Sequence, residues 1–474
     1  MRRPNTKKAF AAMTFILLAL GASLAYGLMS GHPVNAESAR SQPNMPAAAS
    51  SSMTLAAAQT TGITMPKVPI YALNSNNVIL VLTPGTTSFT RLVRVTQANG
   101  NLIGIDFRPG DGKNTSLYAL TDTGTIYTVN LTPNGLGNVT KVSDMTTRFP
   151  SGVQSLMDFN PMVNALRLIG SDRLNYAVVN SGGSLNAMAI QTALSYDPND
   201  VNRGVSPHVS AGSYTNNFNG VTTTRFYGID YDLDTLVTIQ PATPGGPSAT
   251  GGGVLQTLGP LVSPTGQRIN LSSTADIDIY SNINENSLFG GPVFNNLVGV
   301  SGQTLFTIDL SKINPSVPAG SVSNIVVQGI TMPDDGNNII DIAAALNFYE
   351  AESATLGGGT TVNTSFPGFT GSGVASFGNV AGAFADFQVI HNGNQAIRIR
   401  YANGSTVDRP CNITLNGTFV GTFNFPPTGS WTTYRTSLFG AFKFGPEAGF
   451  RSFRITATTA GSGPNIDNLE FFAL

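Results

Sequence analysis

Two glutamates stand one residue apart in a chain that otherwise avoids this residue over a long stretch. Glu350 and Glu352 flank a single alanine, whereas the segment 66–348 contains one glutamate, Glu285. If the pair lies on a strand, alternate residues share a face and both carboxylates project together. A cation relieves their repulsion, and calcium takes about six to eight oxygen ligands. The pair therefore indicates either a calcium site or an exposed edge strand whose charges discourage aggregation.

Aspartates recur in a repeated phrase in which a hydrophobic residue, an aspartate and a mostly apolar strand precede a polar turn. One interpretation is a ring of carboxylates at a channel mouth that binds cations or sugar. The alternative is a turn or bulge residue that bonds its own backbone. We favour the alternative, because each aspartate stands between apolar residues in every repeat. These aspartates are Asp106, Asp158, Asp230, Asp278 and Asp341.

General acids and bases are scarce outside these repeats. A glycosidase uses two carboxyl groups, and a metal hydrolase or serine hydrolase needs histidine in a defined constellation. No recognisable catalytic phrase surrounds the available residues, so a non-catalytic protein is favoured over an enzyme, and no catalytic residue is assigned. The groups that an enzyme could still use are Asp232, Asp276, Asp334, Glu285 and the three histidines His32, His208 and His391.

Composition narrows the class of protein. The 474 residues indicate more than one domain, and charged residues make up 11% of them, against roughly 25% in an average soluble domain. The net charge of −1 provides no basic field for nucleic acid. The single cysteine, Cys411, excludes an intrachain disulfide and fits a buried small apolar residue.

The N-terminus has the organisation of an export signal. Arg2, Arg3, Lys7 and Lys8 precede an apolar run and then "VNA", which predicts a signal peptide over 1–36 with cleavage after Ala36. An uncleaved anchor of roughly 20 residues also fits the run, and it would be the chain's only contact with a membrane. Either form predicts an extracellular or cell-surface protein. Residues 37–65 have low complexity and are predicted to form a flexible linker.

From Val68 onward, short apolar runs alternate with Gly, Asn, Asp and Pro turns, which predicts an all-β protein. The repeated strand pairs return every 50 to 70 residues or so, a spacing typical of propeller blades with loop insertions. They predict a β-propeller of about five or six blades over 66–346, with the pair "VPIYALNSNNVILVL" closing the ring. About eight to ten further short strands over 347–474 predict a β-sandwich of the jelly-roll type.

The central segment resembles a family of bacterial secreted propellers that is known only as a domain of unknown function. The phrases that carry the resemblance are "SLMDFNPMVNALRLIGSDRLNYAVV", "AGSYTNNFNGVTTTRFYGIDYDLDTLVTIQP" and "GGGVLQTLGPL". The resemblance implies a propeller fold. It implies no activity and no catalytic residues.

The last segment resembles carbohydrate-binding modules of families six and thirty-five. The matching phrases are "YEAESA", "RYANGSTVDRP", "FPPTGSWTTYRT" and "PNIDNLEF", in the expected order. In those families an opening Glu-x-Glu strand and an aspartate of the last strand hold a structural calcium. The resemblance therefore implies calcium ligation by Glu350, Glu352 and Asp467, and pairing of the first strand with the last would bring these residues together.

A sugar site needs flat apolar faces and fixed amides. Trp431, the only tryptophan, is either a stacking platform or a core residue. The resemblance implies that Asn465 bonds the ligand, and Asn403 is a further candidate. Val374 stands where such modules often carry a stacking tyrosine, so Phe377 is considered as its substitute although strand alternation points it inward.

Together these features predict an exported, non-catalytic protein that binds a polysaccharide or glycan through a calcium-stabilised jelly roll. The propeller would serve as a scaffold, or as an interaction ring for a cell-surface or matrix protein. Two alternatives remain open. One is a glycan hydrolase or lyase that uses propeller aspartates, and the other is an adhesion protein that has lost sugar binding. Exposure of Trp431 and Phe377 in one cleft would favour sugar binding, whereas burial of both would favour the adhesion protein.

Overall fold

The computed structural model describes most of the chain after residue 62. The described residues are 53–54, 63–111, 116–132, 134–149, 155–181, 184–218, 221–240, 252–282, 293–316, 318, 320–332, 338–390, 393–444 and 450–473. The predicted signal segment 1–36 and most of the predicted linker 37–65 lie outside them. Within these ranges, no helix is long and apolar enough to cross a membrane.

Regular structure in the described residues is almost entirely β-strand, which confirms the all-β class. Three short 3-10 turns, at Pro109–Asp111, Leu310–Lys312 and Ala351–Ser353, are the exceptions. The strands before residue 347 are β1 (Met53–Thr54), β2 (Ile70–Asn74), β3 (Val78–Leu82), β4 (Thr90–Arg94), β5 (Leu102–Asp106), β6 (Ser116–Thr121), β7 (Thr125–Asn130), β8 (Val139–Asp144), β9 (Ser155–Asn160), β10 (Ala165–Gly170), β11 (Asn175–Ser181), β12 (Ser184–Ile190), β13 (Ser195–Tyr196), β14 (Val209–Tyr214), β15 (Phe226–Asp230), β16 (Thr235–Ile239), β17 (Val254–Val262), β18 (Ile269–Asn270), β19 (Asp276–Asn282), β20 (Phe294–Ser301), β21 (Thr304–Ile308), β22 (Ile325–Thr331) and β23 (Ile339–Ala344).

These strands form five antiparallel units of four strands each. Four units follow the chain: β5 to β8, β9 to β12, β14 to β17 and β19 to β22. The fifth combines β2, β3 and β4 with β23, which pairs with β2 from Ile70 opposite Ala344 onward. The predicted pairing of the first strands with the last repeat is thereby confirmed. Parallel pairing of β17 with β22 joins two units into one larger sheet, to which β13 adds.

The five units follow one another in a closed circuit. Their first strands β5, β9, β14 and β19 lie side by side in that order, β23 follows β19, and β23 lies beside β5 again. Five buried apolar clusters each draw side chains from two consecutive units, including the pair formed by the last and the first. Burial between consecutive sheets, rather than one central core, therefore stabilises this part of the chain.

The repeated aspartates only partly fit the turn interpretation. Asp230 does fit, because it ends β15 and its Oδ1 accepts from the backbone N–H groups of Asp232 and Leu233 in the following turn. Asp106 and Asp158 instead lie within first strands and accept from the first strand of the next unit. The Oδ1 of Asp106 also accepts from the backbone N–H of Phe107, so the bond to its own backbone is present for Asp106. The contacts that both aspartates make between sheets were not predicted.

The remaining strands form two sheets that share one core. They are β24 (Phe348–Glu350), β25 (Thr355–Gly357), β26 (Thr361–Asn363), β27 (Val374–Ser376), β28 (Phe384–Ile390), β29 (Gly393–Ala402), β30 (Cys411–Leu415), β31 (Thr418–Phe423), β32 (Arg435–Phe444), β33 (Phe450–Ala457) and β34 (Asn465–Ala473). One sheet has the order β26-β27-β34-β29-β32 with β24 beside β34, and the other has the order β25-β28-β33-β30-β31. Tyr401, Phe425, Phe453 and Phe471 are among the buried side chains between them.

Candidate functional site

The three predicted calcium ligands converge at one edge of the sheet that contains β34. Glu350 ends β24, which runs antiparallel to β34 with Glu350 opposite Asn468. This confirms the expected pairing of first and last strands, and it brings Glu350 next to Asp467. Glu352 does not share the strand as the alternation argument assumed, because the chain turns into the 3-10 segment Ala351–Ser353 directly after Glu350.

A loop over residues 368–372 connects the three carboxylates. The hydroxyl of Thr370 donates to Glu350 Oε2 at 2.8 Å and lies 3.3 Å from Asp467 Oδ2, while its backbone N–H donates to Asp467 Oδ1 at 2.9 Å. The backbone N–H of Ser372 donates to Glu352 Oε1 at 2.5 Å. The loop therefore supplies hydrogen-bond donors to all three acidic side chains.

Gly371 is what allows this loop to approach so closely. Its φ of +64° is in the left-handed region, where a side chain is strained, and a Cβ atom there would overlap Glu352 Oε1 and approach the Glu350 carboxyl carbon to 2.9 Å. Residues with a side chain at this position would displace one or both glutamates. The "TGSG" sequence is thus a requirement of the carboxylate cluster.

Charge in the cluster is only partly balanced. Asp467 is fully buried, and its Oδ2 accepts from the Arg400 guanidinium and from the Asn468 amide. Burial nevertheless raises the pKa of Asp467 to about 6, against the opposing effect of Arg400. Burial also raises the pKa of Glu352. One arginine therefore faces three acidic side chains, two of which are held less readily as anions than in water.

The donor set of this cluster fits a hard cation. Carboxylate and hydroxyl oxygens are the ligands that calcium prefers. Glu352 Oε2 is buried and has no hydrogen-bond partner among the described residues, so it has unused ligand capacity. The oxygens of Glu350, Glu352 and Asp467 do not, however, form a set within 4.8 Å of one another; the described residues contain such a set elsewhere.

Aromatic side chains adjoin the carboxylate cluster through Arg400. The Arg400 guanidinium lies 4.4 Å from the ring centroid of Tyr434, whose hydroxyl donates to the Phe366 carbonyl at 2.8 Å. The Phe366 ring lies 6.1 Å from Trp431, and the Arg409 guanidinium lies 5.3 Å from the Trp431 ring. Trp431 and Phe366 are half-buried, so together they present a partly open aromatic surface.

Two of the predicted sugar-contacting residues do not reach a surface. Phe377 is 1% exposed and packs in the core between the two sheets, so the prediction that it replaces a stacking tyrosine is wrong. Asn403 is fully buried, and its amide donates to the carbonyls of Val407 and Phe425. Both amide hydrogens of Asn403 are therefore used within the protein, and neither is left to donate to a sugar.

The other sugar-site residues have a different status. Asn465 is buried, but its Nδ2 has no hydrogen-bond partner within the described part of the chain. Val374 is fully buried beside Tyr434 and offers no surface to a ligand. Trp431 and Asn465 thus remain predictions, and the criterion set on Trp431 and Phe377 gives a mixed result, with one half-buried and the other buried.

Among the residues considered for catalysis, the structure brings Asp232 and His208 together. Asp232 is exposed and its Oδ2 lies 2.5 Å from His208 Nδ1, whereas Asp276 is buried and accepts from the backbone N–H of Ile342 at 2.8 Å. Asp334, Glu285 and His391 lie outside the described residues.

Sequence reasoning missed Arg400, Thr370 and Arg409. Arg400 belongs to the alternating run "IRIRYA" of β29, where it pairs with Asn468 of β34. The alternating arginines of β29, opposite the acidic residues of β34, form a sequence pattern from which Arg400 could have been identified. Thr370 and Arg409 lie in loops, and no spacing rule predicts where such residues point.

Comparison with known proteins assigns the central segment to a family. The family model described as "Domain of unknown function (DUF4394)" matches residues 70–331, which is more than half of the chain. The chain belongs to the DUF4394 family. A second model, described as delta endotoxin, matches residues 351–473 of this DUF4394 protein.

Curated relatives match shorter parts of the DUF4394 protein. Exo-beta-D-glucosaminidase of Amycolatopsis orientalis is 32% identical over 171 residues, which is 34% of this chain and 15% of the relative. Endo-1,4-beta-xylanase B and alpha-L-arabinofuranosidase C of Cellvibrio japonicus are each 36% identical over 114 residues, 23% of this chain and 18% of each relative. The chain therefore spans less than a fifth of the length of these relatives.

Solved structures similar to the DUF4394 protein include family 35 carbohydrate-binding modules. The module from Clostridium thermocellum is 32% identical and covers 27% of this chain and 97% of its own, with a TM-score of 0.24. The module of Abf62 from Cellvibrio japonicus is 32% identical and covers 27% and 91%, also with a TM-score of 0.24.

Proposed function

We propose that this chain is an exported, non-catalytic protein whose C-terminal part, residues 347–474, binds carbohydrate. The observation that carries the proposal is the 36% identity over 114 residues to two carbohydrate-active enzymes, a xylanase and an arabinofuranosidase. Because the match covers only 18% of each enzyme, the shared segment is too short to be either whole enzyme. An accessory binding module is the simplest common part.

Trp431 is the proposed stacking surface of this module. Sugars present C–H groups to flat aromatic faces, and the half-buried Trp431 has a second aromatic ring, Phe366, 6.1 Å away. Asn465, whose amide nitrogen has no partner among the described residues, is the proposed hydroxyl-bonding group. Phe377 is excluded from the site because it packs in the core between the two sheets. Asn403 is excluded because its amide donates to the carbonyls of Val407 and Phe425.

A structural calcium held by Glu350, Glu352 and Asp467 is part of the proposal. The free Glu352 oxygen and the hard donor set support it. A bound calcium would balance the charge that Arg400 leaves uncompensated and would tie the turn after β24 to β34. Its role would be to stabilise the sheet edge beneath the aromatic surface.

The five circularly arranged units are proposed to be the blades of a β-propeller, and the two C-terminal sheets a jelly roll. The closed circuit of first strands and the sheet that combines β23 with β2 support the propeller. In this proposal the propeller is a scaffold or interaction ring that presents the sugar-binding module outside the cell.

A glycan array probed with the full chain, followed by calorimetry on any glycan that binds, tests the proposal. Trp431→Ala is expected to weaken binding at least tenfold, about 1.4 kcal/mol. Phe419→Ala is the matched control, because Phe419 is 59% exposed on β31 of the other sheet and its loss should leave binding unchanged. Unchanged binding by Trp431→Ala would reject the stacking surface.

Two further outcomes separate the alternatives. If catalytic amounts of the chain consume a glycan, the protein is an enzyme and the non-catalytic proposal fails. If no glycan binds while EDTA lowers the melting temperature of the wild type by more than that of Glu350→Gln/Glu352→Gln, the calcium at this site is a structural element only. That result would favour the adhesion protein.

A further inference from the structure

A second group of carboxylates lies at the centre of the five-unit circuit, outside the proposed sugar module. Asp106 of β5, Asp158 of β9 and Asp278 of β19 each place one carboxylate oxygen within 4.8 Å of those of the other two. The three residues are 2%, 4% and 2% exposed. Three first strands, far apart in sequence, therefore build one buried oxygen cluster.

Backbone N–H groups of neighbouring first strands hold the three carboxylates in position. Asp106 Oδ2 accepts from the N–H of Phe159 at 2.6 Å, and Asp158 Oδ1 accepts from that of Tyr214 at 3.2 Å. Asp278 Oδ2 accepts from the N–H of Ala344 at 2.5 Å. Each aspartate thus bonds the following unit of the circuit, and the cluster is fixed by the same contacts that join the sheets.

The strand β14 contributes a hydroxyl instead of a carboxylate. Ser213 donates from Oγ to Asp278 Oδ1 at 2.7 Å and accepts from the backbone N–H of Ile279 at 3.1 Å. Ser213 therefore continues the chain of contacts without adding a negative charge. The carboxylates are concentrated on the strands to either side of it.

Asp341 of β23 supplies an independent observation. It is 1% exposed, its Oδ1 accepts from the N–H of Ile105 at 3.1 Å, and its Oδ2 has no hydrogen-bond partner in the described part of the chain. A Cβ atom on Gly104 would lie 3.3 Å from this oxygen. Gly104 and Asp106 share one face of β5 because they are two residues apart. The unpartnered Oδ2 of Asp341 therefore lies at the face of β5 that also carries Asp106 of the cluster.

These buried charges lack a basic partner. Burial, together with repulsion by Asp158 and Asp278, raises the pKa of Asp106. Burial, together with repulsion by Asp276, Asp278 and Asp158, raises the pKa of Asp341. No ion pair in the described residues includes any of the four aspartates. Arg167, on the strand beside Asp158, donates to Asn175 Oδ1 and the Gly252 carbonyl instead.

Protons alone are poorly suited to neutralise the cluster. The protein groups that bond these oxygens are N–H and O–H donors, which favour the ionised carboxylate. A protonated carboxyl would have to donate its hydrogen to another carboxylate of the cluster. A buried charge that has no ion-pair partner and no bound cation destabilises the folded state by several kcal/mol or more.

We infer that Asp106, Asp158 and Asp278 hold an oxygen-preferring divalent cation, of the calcium or magnesium class, at the centre of the circuit, with the free oxygen of Asp341 directed toward it. The ligand set is all oxygen, as such cations require. The cation would tie β5, β9 and β19 together. It is separate from the calcium proposed at Glu350 and would form without it.

Metal content of the full chain tests this inference. The chain is equilibrated with calcium and magnesium, passed through metal-free buffer, and analysed by inductively coupled plasma mass spectrometry. The double variant Glu350→Gln/Glu352→Gln, in which the proposed C-terminal calcium site is removed, is the background protein for the comparison. In this background one divalent ion per chain is expected, and adding Asp158→Asn should reduce it to none. Asparagine retains an Oδ1 acceptor for the Tyr214 N–H, so the neutral variant is a conservative change.

Asp230→Asn in the same background is the matched control, because Asp230 is equally buried but bonds Tyr196 and His208 away from the cluster. It should retain the ion. The inference is overturned if Asp158→Asn carries as much metal as its background. It is also overturned if the background variant binds no divalent ion and its melting temperature does not change when calcium, magnesium or manganese chloride is added. Should the background fail to fold, Asp158→Asn alone must lose one ion relative to the wild type.

Discussion

At the scale of single residues, the environment decides what an aspartate does in this chain. Asp230 closes a turn, Asp106 bonds a neighbouring sheet, and Asp467 faces an arginine. The three are alike in being almost fully buried, so their difference comes from the donors around them. Backbone N–H donors and a neighbouring arginine lower the pKa of a carboxyl group, whereas burial raises it, and burial is the larger effect for Asp106 and Asp467.

Asp234 provides a test of this principle outside both carboxylate clusters. Burial raises its pKa to about 6, against the opposing effects of the Leu271 N–H and Arg268. Because the folded pKa exceeds the unfolded value of about 4, the folded chain binds the proton more tightly. The favourable contribution is therefore complete below about pH 4 and is lost as the pH rises to about 6.

Asp234→Asn is expected to raise the free energy of unfolding at pH 7 by about 1 kcal/mol, after allowance for solvent screening of a half-buried group. The gain should vanish at pH 4. Asparagine keeps the acceptor for Leu271 and tolerates the φ of +48°. Urea titrations at both pH values measure the difference. An equal gain at both pH values would contradict the argument.

At the scale of elements, short antiparallel strands carry the structure, and tight contacts between them depend on glycine. Gly259 of β17 lies against the backbone of Ser323, near the parallel pairing of β17 with β22. A Cβ atom there would overlap the Ser323 carbonyl. This contact joins two of the five units, so the absence of a side chain at one residue affects the junction of two sheets.

Gly259→Ala is expected to lower the free energy of unfolding by about 1–3 kcal/mol, because backbone must move to admit the methyl group. The midpoint of urea unfolding measures the change. Gly440→Ala is the control, since a Cβ atom on that strand glycine of β32 would meet nothing within 4 Å. Similar midpoints for the two variants would show that the junction accommodates the added methyl group without loss of stability.

At the scale of the whole molecule, closure of the circuit depends on strands from both ends of the segment. β23 completes the sheet of β2 and also lies between β19 and β5. Two buried clusters contain side chains from β23, such as Ile342 and Ala343. Loss of this one strand would expose a sheet edge and open two apolar interfaces.

A chain that ends at Met332 is therefore expected to lose cooperative thermal unfolding, whereas a chain that ends at Asn347 should keep it. Both lack the C-terminal sheets, so they differ only in the segment that contains β23. Differential scanning calorimetry, together with resistance to a broad-specificity protease, compares them. Equal cooperativity of the two chains would show that the circuit does not need closure by β23.

Local sequence patterns were enough to predict the strand content and the main acidic pair of this protein. Alternating apolar residues and Gly, Asn and Pro turns predicted the all-β class, because side-chain period and turn chemistry are local properties. Pairing of the first and last C-terminal strands correctly brought Glu350 and Asp467 together. The propeller, the jelly roll and the calcium remain proposals that rest on these patterns.

The neighbours that each side chain contacts were visible only in the folded chain. Phe377 was considered as a sugar platform although alternation pointed it inward, and the structure buries it between two sheets as a core residue. The convergence of Asp106, Asp158 and Asp278 depends on strands about 50 to 170 residues apart, as does the contact of Arg400 with Asp467 across β29 and β34. Periodicity assigns a residue to a face of its strand, but the partner on that face comes from long-range packing.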